Sequence, residues 1–192
     1  EPAADPNRKT KWSLVAVNKG GRLINIDSQA PNQIAWEAFQ SGKLQIPGYE
    51  HPLEVRREVK FGESRLDFCL EGGFGMAYGE VKGVTLEENG ICSFPDAPTE
   101  RGVRHIEELI AAKKAGYGAF LLFIVQMEGM KFLIPNEKTH PAFGEALREA
   151  AKAGVAIIAR TCSVEPGSIW LDGEIPVYPD GIPGKTSGNL PE

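Results

Sequence analysis

Hydrophobic residues alternate with polar ones along three successive stretches near the middle of the chain. The stretches are Leu53–Phe61, Arg65–Leu70 and Met76–Leu86, and Gly72-Gly73 separates the second from the third. Alternation with a period of two is typical of β-strands. The pattern therefore predicts three neighbouring strands joined by short turns.

Apolar residues recur at helical spacing in the second half of the chain. Val103, Ile106 and Ile110 form one face of a predicted helix, which Gly116 ends. The elements predicted here are helix Glu100–Ala115, a wholly apolar strand Ala119–Met127, a short strand Lys131–Ile134, helix Pro141–Ala153, strand Val155–Ala159 and a terminal hairpin or irregular segment Ser168–Val177. The order β-β-β-α-β-α-β predicts an α/β fold, with a mixed sheet flanked by helices.

Two β-rich runs near the N-terminus, Trp12–Val17 and Arg22–Ile26, enclose the turn sequence Asn18-Lys19-Gly20-Gly21 and predict a hairpin. A hairpin is only marginally stable alone. This one is therefore expected to dock on the main domain, or to be the remnant of a domain whose beginning is missing. The next segment, Pro31–Ser41, predicts a short helix closed by Gly42.

Composition narrows the class of protein. The 192 residues are 42% hydrophobic and 24% charged, which is ordinary for a globular domain with one sizeable core. The longest apolar run, Ala119–Val125, is too short to cross a bilayer, and no secretory signal is visible. We therefore expect a cytoplasmic protein without membrane contact. Its three cysteines, Cys69, Cys92 and Cys162, are expected to be buried, reduced thiols.

The net charge of −5 argues against a surface coated with lysine for gripping DNA. It does not argue against a nuclease. Such a site needs a local acidic cluster that holds a cation, with basic residues only where the nucleic-acid backbone runs. Charge alone therefore leaves the functional class open.

Acidic residues interrupt two of the predicted strands. In the second strand, Leu66, Phe68 and Leu70 are expected to point into the core and Asp67 to point the other way. In the third strand, the period of two places Glu80 and a lysine two residues later on one face. The connection between the strands is short enough for them to be antiparallel neighbours. The acidic side chains are therefore expected to converge.

The converging set is Asp67, Glu80 and Lys82, flanked in the third strand by Gly79 and Gly83, which are expected to leave room for another backbone. Two carboxylates and a backbone carbonyl, that of Val81, suit Mg²⁺ or Mn²⁺. A lysine beside such a cation suits phosphodiester hydrolysis, because it stabilises charge that develops on phosphate. The alternative is that Glu and Lys merely form the wet face of an amphipathic strand.

A polar stripe follows on the first long helix. Arg101, His105 and Glu108 recur at i, i+4 and i+7, beside the apolar face. Asp96 or Thr99 is expected to cap the helix. The stripe is suited to presenting Arg101 to a phosphate and His105 to a proton or a phosphate oxygen. On the alternative interpretation it is a solvated helix face.

Three motifs carry a family resemblance. They are Lys60-Phe61-Gly62-x-Ser64-Arg65-x-Asp67-Phe68, then Glu80-Val81-Lys82-x-Val84-Thr85-Leu86, then Phe94-Pro95-Asp96-Ala97-x-Thr99-x-Arg101-Gly102-x-x-His105-x-x-Glu108-Leu109. In these motifs the chain closely resembles the sugar fermentation stimulation protein (SfsA) family, from about residue 10 to 165.

The resemblance implies an OB-like barrel followed by a PD-(D/E)XK nuclease-like domain. Most of the barrel is absent, so residues 1–30 are expected to be its remnant, with the hairpin as its last strands. Residues 31–177 then form the nuclease-like domain, and residues 178–192, rich in Gly, Pro and Ser, a flexible tail. His140 departs from the family pattern, which favours an acidic residue there, at a position expected to be peripheral.

The resemblance also implies nucleic acid as partner, DNA before RNA, with a homodimer compatible. Three functions stand open: a Mg²⁺- or Mn²⁺-dependent nuclease, a non-catalytic DNA-binding regulator of sugar (maltose) metabolism, and a sugar-binding or metabolic protein, which rests on the family name alone. Further metal or phosphate contacts are expected from Glu37 and Asn32 on the short helix, from Arg65, and from Asp96 and Thr99.

Overall fold

A computed structural model describes residues 10–181 of the chain. Within them lie three helices and eleven strands. The helices are α1 (Ala30–Gln40), α2 (Glu100–Lys114) and α3 (Pro141–Lys152). The strands are β1 (Ala16–Lys19), β2 (Arg22–Asn25), β3 (Glu54–Phe61), β4 (Ser64–Gly72), β5 (Gly75–Val84), β6 (Glu87–Glu88), β7 (Ile91–Phe94), β8 (Gly118–Val125), β9 (Phe132–Pro135), β10 (Ala156–Glu165) and β11 (Ser168–Ile175).

The main sheet has six strands in the order β11-β10-β8-β5-β4-β3. Strands β3, β4 and β5 pair antiparallel, β8 lies parallel to both β5 and β10, and β11 pairs antiparallel with β10. The sheet is therefore mixed, and the predicted α/β class is confirmed. The terminal segment forms the hairpin partner of β10 and one edge of the sheet.

Strand β8 lies at the centre because its residues are apolar on both faces and all buried. Leu121 and Phe123 point into a hydrophobic cluster that includes Ile106 and Leu109 of α2. Phe120, Leu122 and Ile124 point into the opposite cluster beneath α1. Helices thus cover both faces, with α2 and α3 on one and α1 on the other.

Two further small sheets flank the main one. In the described part of the chain, β1 and β2 pair only with each other, as the predicted hairpin, and β6, β7 and β9 form a three-stranded sheet. The hairpin is fastened through Glu87, whose carboxylate lies 2.8 Å from Lys19 Nζ and 3.0 Å from Arg22 Nη1. Buried Gln126 adds a second link, because its Nε2 donates to Asn25 Oδ1 at 2.8 Å. The hairpin is docked on the main domain, and its origin in a barrel stays a prediction.

The expectation that Leu66, Phe68 and Leu70 share one face is wrong. Leu66 lies in the cluster under α2, whereas Phe68 and Leu70 lie in the cluster under α1. The alternation fails at Asp67, opposite which Glu58 of β3 adopts a left-handed backbone with φ of 55°. This local distortion turns the strand between Leu66 and Phe68.

The room expected at two glycines of β5 is taken by side chains of this chain. A Cβ at Gly79 would lie 1.9 Å from Phe120 Cζ, and one at Gly83 would lie 2.5 Å from Gln126 Oε1. These glycines therefore serve packing within the sheet rather than the approach of another backbone.

The predicted tail is described only at its start. Tyr178 N–H donates to the Leu133 carbonyl at 2.9 Å, and residues 182–192 lie outside the described part. All three cysteines are free and buried, as expected. No helix in residues 10–181 is long and apolar enough to span a membrane.

Candidate active site

Asp67 lies where strands β4 and β5 begin to separate. Their ladder runs from Gly72 opposite Gly75 as far as Phe68 opposite Gly79. Beyond that pair, Asp67 takes the place of a backbone partner. Its Oδ2 accepts the Val81 N–H at 2.8 Å, and its Oδ1 accepts from Asn32 Nδ2 of α1 at 3.1 Å. The side chain is thereby fixed between the strands.

Glu80 is one of the few buried acidic residues, with 2% of its surface exposed. Its Oε1 accepts from Lys82 Nζ at 2.7 Å and contacts His105 Nδ1 of α2. Its Oε2 is buried and has no hydrogen-bond partner within residues 10–181. A buried carboxylate oxygen without a partner is energetically costly. This oxygen can therefore accept one further partner.

The strand residues meet α2 through His105, which is also buried. His105 Nε2 accepts from Arg101 Nε at 3.3 Å, so the two residues of the predicted stripe are linked. Thr99 caps the helix, with its Oγ1 accepting the Gly102 N–H at 3.0 Å. The chain Arg101–His105–Glu80 thus connects an exposed guanidinium to the buried carboxylate.

A surface groove beside α2 brings Arg65 and Arg101 together with Arg104. Arg65 is one of the phosphate contacts expected from the sequence, whereas Arg104 was missed because an exposed helix arginine carries no signal of its own. Three glutamates, Glu63, Glu107 and Glu108, also line the groove, and Glu108 Oε1 accepts from Ser64 Oγ at 3.4 Å. The guanidiniums suit contacts to a phosphate backbone, and the carboxylates offset part of their charge.

The two carboxylates respond differently to their surroundings. Burial, and then the nearby charge of Glu80, raise the pKa of Asp67 to about 6. Burial acting alone would raise the pKa of Glu80 as well. The bonds from His105 and Lys82 outweigh it, so the pKa of Glu80 is lowered. The site therefore holds two neighbouring carboxylates, and the raised pKa of Asp67 shows that a further cation would stabilise its charged form.

Two predicted residues are not brought to this pair. Glu37 lies on the exposed face of α1, where its Oε1 accepts from Gln33 Nε2 at 2.7 Å. Glu37 follows Asn32 by five residues, which is more than one helical turn. The side chain of Glu37 is therefore directed away from Asp67. Asp96 is exposed, and it does not cap α2 because Thr99 does.

The position of His140 is not peripheral. This buried side chain accepts the Thr99 N–H through Nδ1 at 2.9 Å. Asn136 Nδ2 donates to the Pro95 carbonyl at 3.0 Å. Both bonds hold the segment that leads into α2 in place. They thereby fix the position from which His105 enters the site. Neither contact had a sequence signal, because both link segments about forty residues apart.

The residues suit only a particular kind of cation site. Within residues 10–181 no three His, Cys, Asp or Glu side chains are grouped as a metal cage. Two carboxylates side by side, one with an open oxygen, instead suit a cation that keeps several waters. The Val81 carbonyl lies on the same edge of β5 as the N–H that reaches Asp67.

Comparison with known proteins places the chain in a family. The family model described as the sugar fermentation stimulation protein RE domain matches residues 29–168. The chain is 50% identical to the sugar fermentation stimulation protein homolog of Desulfitobacterium hafniense (strain Y51) over 163 residues, 85% of this chain and 69% of that protein. It is 49% identical to the homolog of Clostridium botulinum (strain Loch Maree / Type A3) over 172 residues, 89% of this chain and 74% of that protein.

A solved structure is similar in fold as well as in sequence. It is described as Pyrococcus furiosus SfsA in complex with Ca²⁺, and it is 33% identical to this chain. The two superpose with a TM-score of 0.80, over 91% of this chain and 75% of the other. The chain belongs to the sugar fermentation stimulation protein (SfsA) family.

Proposed function

We propose that this protein is a metal-dependent nuclease of the PD-(D/E)XK type that hydrolyses phosphodiester bonds of DNA or RNA. One observation carries the proposal. Among the described residues, the buried Glu80 carboxylate has one oxygen without a partner, although Lys82 and His105 both contact its other oxygen and Asp67 is fixed on the N–H of the next residue, Val81. A solvated strand face would have no reason to bury an unpartnered carboxylate, because the desolvation cost would be uncompensated.

Asp67, Glu80 and the Val81 carbonyl are the residues that would hold Mg²⁺ or Mn²⁺. When bound, such a cation polarises the phosphate and lowers the pKa of a coordinated water. The P. furiosus relative was solved with Ca²⁺, another hard cation that takes oxygen ligands. This likeness supports a divalent cation here.

Lys82 would supply a positive charge beside the cation, where it stabilises the charge that develops on the reacting phosphate. Its Nζ already lies 2.7 Å from Glu80 Oε1 and is mostly shielded from solvent, so little reorganisation is needed during reaction. His105 steadies the Glu80 carboxylate, and Arg101 steadies His105 while its guanidinium stays at the surface. Arg101, Arg65 and Arg104 would bind flanking phosphates.

Cleavage assays with purified full chain test this assignment. We expect Mg²⁺- or Mn²⁺-dependent cleavage of at least one of single- or double-stranded DNA or RNA. Lys82→Ala should lower the cleavage rate by about 10²–10³-fold and weaken substrate binding much less, because the charge acts mainly in the transition state. Glu80→Gln should abolish cleavage and metal binding measured by calorimetry.

Glu87→Gln is the matched control, because Glu87 is also a buried glutamate but lies at the hairpin. It should leave the cleavage rate unchanged at a temperature where both proteins are folded. Cleavage that survives both Lys82→Ala and Glu80→Gln unchanged would rule out this site.

A second candidate is a non-catalytic DNA-binding regulator of sugar (maltose) metabolism. The name borne by the relatives favours it. So does the occupation of Glu80 Oε1 by two side-chain partners, Lys82 and His105, which hold the carboxylate in place without a metal. On this reading every substrate is bound and none is cleaved, and Lys82→Ala lowers affinity only modestly.

A further inference from the structure

An aromatic ring and a guanidinium meet beside Asp67, on the face of the sheet opposite α2. Trp36 of α1 is partly buried, and Arg57 of β3 lies over its indole with Cζ 5.6 Å from the ring centroid. Arg57 Nη1 also donates to Gln33 Oε1, at 3.4 Å. Arg57 is exposed, and both of its contacts are long. The guanidinium is therefore readily displaced from the ring.

The pair lies close to the metal-binding candidate Asp67. Trp36 follows Asn32 by one helical turn, about 6 Å along α1, and Asn32 Nδ2 donates to Asp67 Oδ1. Arg57 pairs across the sheet with Phe68, the residue after Asp67. Both members of the pair therefore adjoin neighbours of Asp67, Trp36 through Asn32 and Arg57 through Phe68.

We propose that Trp36 and Arg57 form a nucleobase subsite, and that the substrate is nucleic acid with an unpaired base next to the scissile phosphate. This inference rests on the proposed nuclease function. The base stacks on the indole in place of the guanidinium, and Arg57 then binds the phosphate of the same nucleotide. A paired, stacked base offers no face to the ring, so duplex without unpaired bases is the poorer substrate.

The test isolates the ring by spectroscopy. Trp12 and Trp170 are the only other tryptophans of the chain. A Trp12→Phe, Trp170→Phe protein therefore reports Trp36 alone. It is titrated in EDTA, which prevents cleavage, with a single-stranded oligonucleotide and with an abasic strand of equal length. We expect the base-bearing strand to quench the emission at saturation and the abasic strand to leave it unchanged.

Affinity provides the second measurement. Trp36→Ala should raise the dissociation constant for the base-bearing strand by about 5- to 150-fold, the worth of one stacked base. It should leave affinity for the abasic strand unchanged. Trp170→Ala is the matched control, because Trp170 is a half-exposed tryptophan on β11, at the opposite edge of the sheet. It should not change either affinity.

The outcomes separate this inference from the proposed function. Emission that stays constant while the base-bearing strand binds would overturn the subsite, and so would Trp36→Ala weakening both strands equally, which is what a purely structural ring would do. If the wild-type protein binds the strand through Trp36 but cleaves nothing with Mg²⁺ or Mn²⁺, the proposed nuclease function is wrong and the base subsite is retained. Should Trp36→Ala not fold, the quenching measurement alone decides.

Discussion

Gly79 shows how tightly the site is built into the core. It precedes Glu80 in β5, and a Cβ there would lie 1.9 Å from Phe120 Cζ. The ring is fully buried in the α1-side cluster, so it has little freedom to move away. Gly79→Ala should therefore lower the free energy of unfolding by about 1–3 kcal/mol, measured by chemical denaturation.

Gly73→Ala serves as the control for this substitution. Nothing lies within 4 Å of a Cβ placed at Gly73, in the turn between β4 and β5. Its unfolding free energy should stay within about 0.5 kcal/mol of wild type. Equal losses for both alanines would show that the Phe120 contact does not explain the glycine.

At this scale the sequence predicted the chemistry better than the geometry. The period of two placed Glu80 and Lys82 on one face, and the structure joins them by a hydrogen bond. It did not predict that Asp67 reaches a backbone N–H of the next strand, because that needs the distortion opposite Glu58. Alternation assumes regular backbone, and this site departs from it.

Glu87 determines how the N-terminal hairpin is held. Its carboxylate accepts from Lys19 and pairs with Arg22, and Gly90 N–H donates to it at 3.3 Å. The bond from Lys19 lowers the pKa of Glu87, against the effect of burial. Glu87→Gln should lower the free energy of unfolding at neutral pH by about 1–3 kcal/mol, because charged partners are left unpaired.

The same substitution should make stability less dependent on pH. A carboxyl whose pKa is lower in the folded state stabilises the protein fully above its unfolded pKa, about 4.3. That contribution falls as pH drops through the lower folded value. The difference between wild type and Glu87→Gln should therefore shrink below about pH 4.3. Glu88→Gln, at the exposed neighbouring position of β6, is the control and should show little difference at either pH.

Helices and strands could be predicted from the sequence where the segments are long and their apolar residues recur periodically. The bounds of α2 and α3 agree with the predicted ones to within a residue at each end. Strands β6 and β7 were not predicted, because two and four residues are too few to show a period. Strand β10 runs to Glu165, beyond the predicted Ala159, because pairing with β11 extends it through polar residues.

The whole molecule shields its thiols. Burial raises the pKa of Cys92 and of Cys162 to about 12 each and raises that of Cys69 as well. The thiolate is the nucleophilic form. We therefore expect the thiols of the folded protein not to react with Ellman's reagent at mildly alkaline pH. After unfolding in guanidinium chloride, three equivalents of thiol per chain should react. A thiol that reacts at once in the native protein would show that its cysteine lies outside the core.

For the whole chain, the sequence predicted the fold class better than it predicted the order of strands in the sheet. The order β-β-β-α-β-α-β predicted a mixed sheet with a buried central strand. The wholly apolar run at β8 identified which strand is central. The docking of the hairpin was left open, because it depends on Glu87 and Gln126, two polar residues whose long-range partners no periodicity reveals.

The left-handed residue in β3 has a consequence for self-association. Strand β3 is an edge strand, and its outer side would ordinarily offer a continuous row of N–H and C=O groups to a second molecule. Glu58, with φ of 55°, divides that row into runs of four and three residues. Neither run is long enough to template a stable intermolecular strand. The distortion that accompanies Asp67 thus also makes this edge of the sheet a poor template for edge-to-edge pairing.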